Sequence, residues 1–570
     1  MKLIFGTYLD GTSWSDEQAS SGKLQLGPSG MLNFLETRLG LSRPDSHPAM
    51  RINQYLQRLQ ACDSPDAWFH NSLHADAWST AKQLLAWRDQ LIEAGWKGQM
   101  DKHCSARLQA LGTLEQSSLP LIAGREDRLR EILRMLEKCN TISVHTINIQ
   151  EPFKLLPPVW QTILSRLRDM GVHLHQSLPI IRTDKTSDLA KVQSVLNNAV
   201  HKTAAIKDDE SLVMAKAPDE WEAAESLALW LAADPAQHKE LTIICGADTD
   251  VLDQALQRHG LPQLGGSDSS RWRASLQVLP LVMANAWKPV EVQRLIELLS
   301  LPMAPIPIAA VRHFLHALRK EPGVGGDAWK EALRHITVEQ QNKLSEKGSD
   351  NAEALAEASV SMLNAYLAED RYMPDSGIPE EVLHKRCQWI IEWLGWQAKN
   401  DPMLIEALSH AREMQKLAKG KGLIPRITLE RMLDSVIGIG CTAPDRIEEA
   451  AHWKIVTHPG QITTPCKTII WWGFIDPQLT PLTYWSKTER DALRKYSIEL
   501  EDSVLARRRE AEAWKRGFNQ ADETMLLFYP SQMHGEEVYP HPYWDEIRNA
   551  AVKGRPNMPP EILLACSACP

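Results

Sequence analysis

Residues 140–177 read NTISVHTINIQEPFKLLPPVWQTILSRLRDMGVHLHQS, and their hydrophobic pattern changes twice. The first part, NTISVHTINI, predicts a strand, and LPPVWQTILSRLRDMGV predicts a helix because its apolar residues recur at three- and four-residue spacings. VHLHQS then predicts a second short strand. Two strands joined by a crossover helix are the unit of a parallel sheet, so this stretch predicts an α/β fold.

A second block of this kind begins near residue 217. The helix APDEWEAAESLALWLAAD carries Asp219 at a predicted N-cap and Glu222 three residues later, the spacing of a capping box. The strand ELTIIC and the helix DVLDQALQRHG follow, with Gly260 as the C-terminal stop. Further on, the sequence predicts the strands HWKIVTHPG, CKTIIWWGF and TMLLFYP and a capping box from Ser486 to Glu489.

Two long regions show helical periodicity instead, from Gly30 to about Cys139 and from Ser275 to about Gly440. The second is too long to be a loop, so we predict an inserted helical domain. The polar stretch HKTAAIKDDES predicts a linker. A chain of 570 residues exceeds what one hydrophobic core usually organises, and several domains are expected.

Composition narrows the class of protein. Hydrophobic residues make up 43% and charged residues 24%, which is typical of soluble globular proteins, and no run of about 18 apolar residues predicts a membrane span. The net charge of −9 excludes a uniformly basic coat for nucleic acid, although it permits a local basic groove. The N-terminus lacks a secretory signal, and the nine cysteines have no regular spacing, so we expect reduced thiols and a cytoplasmic location.

The N-terminal segment MKLIFGTYLDGTSW predicts a strand followed by a glycine-containing loop. Gly6, Gly11 and Ser13 fit the phosphate-loop pattern G-x-x-x-x-G-K-S/T, but Thr12 stands where the lysine should be. In an active loop that lysine reaches the β- and γ-phosphates, which threonine cannot do. The sequence therefore predicts a degenerate nucleotide loop, and its alternative is a plain strand-to-loop turn.

An α/β lobe with a helical insertion, followed by a second lobe with a larger insertion, resembles the layout of superfamily I DNA helicases. DEWEAAESLALWLAADPAQHKELTIICGADTDVLDQALQRHGLPQLGGSDS resembles a stretch of AddB-type and UvrD-like proteins in which an acidic helix precedes a buried strand. KTIIWWGFIDPQLTPLTYWSKTERDALRKYSIEL resembles another AddB segment, and AWKRGFNQADETMLLFYP stands where that family has its sixth helicase motif. The chain thus resembles an AddB-like, inactivated superfamily I helicase subunit over nearly all of residues 1–550.

The resemblance implies an α/β fold of two RecA-like helicase lobes, each interrupted by a mainly helical insertion. The implied first lobe spans residues 1–200, with its helical insertion at about 41–138. The implied second lobe consists of residues 201–274 and 451–550, separated by an inserted helical domain at 275–450. Residues 551–570 are the tail where a nuclease domain would follow.

The same resemblance implies that ATP hydrolysis has been lost at three positions. Thr12 lacks the lysine charge, and VHTINIQEPF offers only Glu151 where paired acidic residues would hold magnesium. Gln520 occupies approximately the position of the arginine that would reach the γ-phosphate. We expect no catalytic residue and no use of ATP or Mg²⁺ by this chain.

The family often continues into a PD-(D/E)XK nuclease domain, which we expect to be missing here. APDEW and APDRIEEAAHWK begin suitably, but neither has a matching partner strand. Cys566 and Cys569 form a lone C-x-x-C, which we interpret as a free-thiol tail, and no metal site is predicted.

Two basic clusters are candidates for nucleic-acid binding. SSRWRAS places two arginines and a tryptophan in a loop, and ARRREAEAWKRGF places basic residues on a helix. The alternative for the helix is a solvated face in which Glu510 and Glu512 alternate with the basic residues. The predicted nucleic-acid-binding residues are Arg271, Trp272, Arg273, Arg508 and Lys515.

The leading functional hypothesis is a non-catalytic DNA-binding and scaffolding subunit of a bacterial helicase-nuclease complex, acting in DNA end processing, repair or defence against foreign DNA. Its expected partners are single-stranded DNA and a UvrD-like or AddA-like helicase subunit. One alternative is residual ATP-dependent activity in which a lysine from elsewhere, such as Lys23, completes the loop. The other is a purely protein-binding scaffold.

Overall fold

The computed structural model describes residues 1–11, 22–41, 47–101, 103–177, 186–197, 206–234, 240–246, 248–399, 401, 403–443, 446–477 and 485–552. The strands in these ranges are β1 (Lys2–Phe5), β2 (Lys23–Leu26), β3 (Thr146–Ile149), β4 (His173–Gln176), β5 (Leu212–Ala217), β6 (Leu241–Ile244), β7 (Ile378–Pro379), β8 (Leu423–Ile424), β9 (Lys454–Val456), β10 (Cys466–Trp471), β11 (Ala521–Pro530), β12 (Gln532–Met533) and β13 (Glu536–Glu537).

The helices of the N-terminal part are α1 (Pro28–Leu39), α2 (Pro48–Ala61), α3 (His70–Ala75), α4 (Ala77–Glu93), α5 (Ala106–Glu115), α6 (Arg125–Lys138), α7 (Pro158–Asp169), α8 (Asp188–Asn197), α9 (Glu220–Ala233) and α10 (Asp250–Arg258). The later helices are α11 (Ala274–Ala284), α12 (Val292–Ser300), α13 (Ile308–Lys320), α14 (Asp327–Glu346), α15 (Ala352–Asn364), α16 (Glu380–Gln397), α17 (Met403–Ala418), α18 (Arg426–Ile437), α19 (Lys487–Lys495), α20 (Ser503–Asn519) and α21 (Pro542–Val552).

The protein is a mixed α/β structure built on two parallel sheets. The first sheet has four strands in the order β2-β1-β3-β4, and the second has five in the order β5-β11-β10-β6-β9. All neighbours in both sheets are parallel, and β3, α7 and β4 form the predicted strand-helix-strand unit, in which Thr146 pairs with His173. Parallel pairing requires crossover connections, and those of the second sheet include the whole stretch from α10 to β9.

Each sheet has its own apolar core. On the first, Phe5 and Ile147 pack with Trp160 of α7, and α1 and α6 complete the cluster. The second sheet is covered on both faces, by α9 and α10 on one and by α8, α20 and α21 on the other. Burial on both faces explains the continuous apolar strands ELTIIC and CKTIIWW, as is usual for parallel sheets. We call the first sheet with α1, α6 and α7 the first unit, and the second sheet with α8–α10, α20 and α21 the second unit.

The remaining helices, α2–α5 and α11–α19, form one helical region. A single hydrophobic cluster contains Tyr55 and Leu84 from the N-terminal stretch together with Phe314 and Met432 from the later one. Polar contacts cross the same boundary, for example from the indole Nε1 of Trp78 to Ser435 Oγ at 2.8 Å. The two predicted helical insertions therefore share one core and are not separate packing units.

The structure differs from the sequence-based expectations at three elements. No regular structure was predicted between the N-terminal loop and Gly30, yet Lys23–Leu26 form β2 and α1 begins at Pro28. Strand β5 was not predicted either. It directly follows the predicted linker, and its half-buried position at the edge of the second sheet weakens the apolar pattern of its sequence. Helix α8 lies within residues 1–200, which were assigned to the first lobe, but it packs on the second sheet, where Gln193 Nε2 donates to the carbonyl oxygens of Phe518 and Ala521.

None of the helices in the described ranges combines the length and apolar content needed to cross a lipid bilayer. The seven cysteines in these ranges are free thiols. Cys566 and Cys569, and nearly all of the tail at 551–570, lie outside the described residues.

Candidate functional site at the junction of the two sheets

The N-terminal loop lies at the carboxyl end of β1, where a nucleotide loop would be. Gly11 has φ +76°, and the Leu9 N–H donates to the Gly6 carbonyl at 3.2 Å, so Gly6 to Gly11 form a tight turn. The carboxylate of Asp10 accepts the N–H groups of Ser29 at 2.8 Å and Gly30 at 3.0 Å at the start of α1. These first-turn donors are the groups that would hold a phosphate.

Asp10 thus occupies an anion-binding position within its own chain. Gly27 permits this close approach, because a Cβ atom there would lie 2.2 Å from the Asp10 nitrogen. Thr12 and Ser13 lie outside the described residues. Within the described part of the predicted loop, the turn interpretation fits better than a phosphate cradle.

Glu151 follows β3 and pairs with an arginine of the second unit. Its side chain is 1% exposed, and Oε2 accepts the Thr7 N–H at 3.1 Å. Its Oε1 accepts from Arg516 Nη2 of α20 at 3.1 Å, and the same nitrogen donates to the Gly460 carbonyl at 2.6 Å. A buried carboxylate of one unit is therefore neutralised by a cation of the other, and losing either partner would leave an uncompensated buried charge.

Glu510 of α20 makes a second contact between the units. Its Oε2 accepts the Tyr8 hydroxyl at 2.6 Å, and Oε1 accepts from His458 Nε2 and Trp514 Nε1, each at 2.8 Å. The Tyr8 and His458 rings stack with centroids 4.0 Å apart. Since His458 Nδ1 accepts the Gly460 N–H, the ring proton is carried by Nε2, which donates to Glu510.

The groups around Glu510 keep its carboxylate ionised. Burial raises its pKa, but the hydrogen bonds that it accepts from His458, Tyr8 and Trp514 outweigh burial and lower the pKa overall. Burial, followed by the charge of Glu510, raises the pKa of Tyr8, which keeps its hydroxyl protonated as a donor. We call Tyr8, Glu151, His458, Glu510 and Arg516 the inter-sheet junction.

The backbones at the inter-sheet junction are in close contact. The turn Pro459–Gln461 lies beside Tyr8, and a Cβ atom added at Gly460 would be 2.6 Å from the Tyr8 ring. A Cβ at Gly517 of α20 would be 2.4 Å from Cβ of Pro459. Both oxygens of Glu151 and both oxygens of Glu510 already accept hydrogen bonds from the protein, so neither carboxylate has an oxygen without a protein donor.

Two sequence-based assignments change here. Gln520 is buried at the C-terminus of α20, and its side chain makes no hydrogen bond within the described ranges, whereas Arg516, one turn earlier, reaches the first unit. Lys23, the alternative lysine, pairs in register with Lys2 at the start of β1. Four residues at about 3.3 Å each place that end of the strand roughly 13 Å from the loop, which disfavours its use there.

Sequence reasoning assigned Arg516 to the basic cluster and missed its role as the ion-pair partner of Glu151. The only local signal was its position within AWKRGF, the stretch matched to the sixth helicase motif. Nothing in the spacing identifies a partner that lies 365 residues away in the chain. Tyr8, His458 and Glu510 gave no local signal of their contacts either.

The predicted loop Arg271, Trp272 and Arg273, here called the tryptophan loop, joins the second unit to the start of α11. Trp272 is 74% exposed, and the Arg271 guanidinium lies 5.5 Å from its ring centroid. Arg271 also pairs with Asp434 of α18. Arg273 donates to the carbonyl oxygens of Cys441 at 2.6 Å and Asp268 at 2.7 Å. The ring is available to a partner, while both arginines contact the protein.

The basic cluster on α20 does not form one face. Arg509 is buried, where it donates to the Leu155 carbonyl at 2.9 Å and pairs with Glu501 at 2.6 Å. Arg508 is exposed and Lys515 is half-buried, and neither has an ion pair with another described residue. Likewise, no hydrogen bond or ion pair within the described ranges joins α20 to the tryptophan loop.

No protein-family model matches this sequence, and no curated protein matches it.

Proposed function

We propose that the protein is a non-catalytic scaffolding and DNA-binding subunit of a bacterial helicase-nuclease complex, in which the two units are RecA-like lobes that no longer turn over ATP. The observation that carries the proposal is the inter-sheet junction. In a helicase motor, nucleotide binds between two such lobes, and the lobes move relative to one another during each cycle. Here the first and second units contact each other through a buried ion pair and a stacked ring pair.

The chemistry of the junction supports the loss of turnover. A phosphoryl-transfer site needs donors for the phosphates and free carboxylate oxygens for magnesium. Asp10 occupies the N–H groups at the start of α1, and Glu151 is engaged by Thr7 and Arg516. Arg516, which reaches this position from the second unit, is therefore already paired with Glu151. Such a chain would leave ATP hydrolysis to a UvrD-like or AddA-like partner.

DNA contact is the second part of the proposal and rests on the tryptophan loop and α20. An exposed tryptophan ring is a platform on which single-stranded bases stack, with a contribution of about 1–3 kcal/mol per base. Arg508 and Lys515 would add contacts to phosphates, which are salt-sensitive and independent of base sequence. We therefore expect weak binding of single-stranded DNA.

The experiment compares ATP hydrolysis and DNA binding in the same preparation. We expect no DNA-stimulated ATPase activity, and binding of a fluorescent single-stranded oligonucleotide that weakens with salt and is unchanged by ATP. Trp272→Ala should weaken that binding by about 1–3 kcal/mol, because it removes the stacking platform. Trp396→Ala is the matched control, since Trp396 of α16 is 73% exposed, close to the value for Trp272.

Two results would count against the proposal. DNA-stimulated ATPase activity that Gly11→Asp abolishes would show a working nucleotide site, because this change strains the loop and adds a negative charge to it. Equal oligonucleotide binding by folded Trp272→Ala and the parent protein would favour the second candidate, a protein-binding scaffold. That candidate is supported by one observation, which is that both arginines beside Trp272 are engaged within the protein.

A further inference from the structure

A cluster of three potential metal ligands lies far from the inter-sheet junction in sequence, between α2 and α3. Asp63 follows the end of α2, and His70 and His74 lie four residues apart on α3, so both imidazoles project from the same face of that helix. Asp63 Oδ1 is 2.9 Å from His70 Nδ1, and Oδ2 is 3.0 Å from His74 Nε2. Within the described ranges, no other group of three such side chains brings its ligand atoms within 4.8 Å of one another.

The geometry is close to that of a metal site with three protein ligands. The two imidazole rings have centroids 4.4 Å apart and are inclined by 56°, so they do not stack face to face. Zinc binds nitrogen and oxygen at about 2.0–2.2 Å, which places ligand atoms roughly 3.3–3.6 Å apart in a tetrahedron. The distances from Asp63 to His70 and from Asp63 to His74 are therefore within roughly 0.3–0.7 Å of the separation between two ligands of one zinc ion.

We propose that Asp63, His70 and His74 bind a divalent transition-metal ion, with Zn²⁺ as the preferred occupant. Two imidazole nitrogens and one carboxylate oxygen favour zinc and its neighbours over Mg²⁺ and Ca²⁺, which prefer oxygen ligands alone. Three protein ligands leave one coordination position for water or for a side chain of a partner.

The metal would fix the connection between two helices of the helical region. Phe69, which precedes His70, is buried in the core of that region, and the Trp68 ring lies 6.2 Å from Trp87 of α4. A metal held by Asp63 and the two histidines would tie the end of α2 to the start of α3 beside these rings. This inference concerns a different surface from the proposed DNA contact and does not depend on it.

The test uses the untagged full chain, stripped of metal with EDTA and titrated with ZnCl₂ by calorimetry. CoCl₂ serves as a spectroscopic probe, because visible absorption bands report cobalt held by nitrogen and oxygen ligands in a site of low coordination number. We expect His74→Gln and Asp63→Asn each to remove one equivalent of bound zinc and the corresponding cobalt bands. The affinity of that equivalent should fall at least about 100-fold, since loss of an outer-shell partner alone costs about 10–100-fold.

His313→Gln is the matched control. His313 Nε2 lies 3.3 Å from Glu339 Oε2 and its ring stacks on His335, so it resembles the proposed site but lacks the converging third ligand. This variant should bind zinc as the parent does. His74 is the most exposed of the three proposed ligands, so His74→Gln leaves the test usable if Asp63→Asn does not fold.

Thermal unfolding separates a metal site from a merely structural hydrogen-bonded cluster. Zinc should raise the melting temperature of the parent and of His313→Gln but not that of His74→Gln. If His74→Gln binds as many equivalents as the parent with the same affinity, the proposal is wrong. It is also wrong if Asp63→Asn melts at a lower temperature without metal but keeps the full zinc-dependent rise.

Discussion

The inter-sheet junction and the tryptophan loop both contain arginine and aromatic side chains, but they differ in what those side chains contact. Arg516 is 11% exposed and neutralises Glu151 of the other unit, whereas Trp272 is 74% exposed. The charged side chains at the junction therefore pair with each other between the two units. At the loop, the arginines are anchored to neighbouring segments and leave one apolar ring exposed for a partner.

This comparison predicts that the same kind of substitution has different consequences in the two regions. Junction variants should mainly lower the stability of the fold, because their partners are buried and would be left unpaired. Loop variants should leave the fold intact and change binding only.

Arg516→Met should produce the largest loss of stability. It leaves the buried Glu151 carboxylate without its cation, and removing one partner of a buried pair costs about 3–5 kcal/mol. The double variant Arg516→Met with Glu151→Leu should recover most of that loss, because neither charge of the pair then remains buried. Urea denaturation followed by circular dichroism measures both. Arg508→Met, on the exposed side of α20, is the control and should change stability by less than about 0.5 kcal/mol.

Acid should weaken the second unit beside the junction. His541 is 2% exposed among Trp471, Phe474 and Trp514, and burial lowers its pKa to about 3. The unfolded chain takes up this proton near pH 6.5, so the free energy of unfolding falls as the pH drops from about 6.5 towards 3, by about 1.4 kcal/mol per pH unit.

His541→Phe tests that pH dependence. At pH 7 the variant should be less stable by about 1 kcal/mol, because Nδ1 no longer accepts the Tyr543 N–H. Below about pH 5.5 it should become the more stable protein, since it has no buried imidazole to protonate. Urea titrations from pH 7 to pH 4 measure the crossing. If the free energies of unfolding of the two proteins change with pH in the same way, the acid sensitivity arises from groups other than His541.

Tyr8→Phe should cost about 1.5–3 kcal/mol of unfolding free energy, because it removes a buried hydrogen bond to the ionised Glu510. The loss should be smaller than for Arg516→Met, since His458 and Trp514 still donate to that carboxylate. Tyr539→Phe, at an exposed tyrosine, is the control. Equal effects of the two substitutions in thermal unfolding would contradict an energetic role for the junction.

The smallest expected effect is on the salt dependence of DNA binding. Arg508→Ala should reduce the slope of log affinity against log salt by about one unit, because it removes one free phosphate contact. Arg271→Ala should reduce it by less, since Arg271 is already paired with Asp434. Fluorescence anisotropy at several salt concentrations measures both slopes. A larger reduction for Arg271→Ala would show that the ion pair opens for DNA.

Local sequence signals predicted much of the fold. The strand at Lys2–Phe5, the N-cap at Asp219, the helix stop at Gly260 and the capping box from Ser486 to Glu489 are all present, because each depends on residues a few positions apart. The strand-helix-strand unit of residues 140–177 is confirmed for the same reason. The short strands β2 and β5 were missed, since one or both of their faces are only half-buried and the apolar alternation is weak.

The candidate site was less accessible to sequence reasoning. Glu151 and the loop from Gly6 could be singled out by their positions after strands, but the partners of Glu151 and Tyr8 lie hundreds of residues away. Such pairs are determined by how the two units approach each other, which no local spacing encodes. The arginines of the tryptophan loop were predicted to bind nucleic acid, and their contacts with Asp434 and Cys441 were missed for the same reason, because both partners are distant in sequence.

The shared core of the helical region has a consequence for synthesis on the ribosome. Helices α2–α5 end at Glu115, but α18, which packs against them, ends at Ile437. At roughly 5–20 residues per second, about 15–65 s pass between the emergence of the two halves. During that interval the nascent N-terminal helices expose the apolar faces that α11–α18 later cover, so their protection from aggregation depends on chaperones or on the rate of translation.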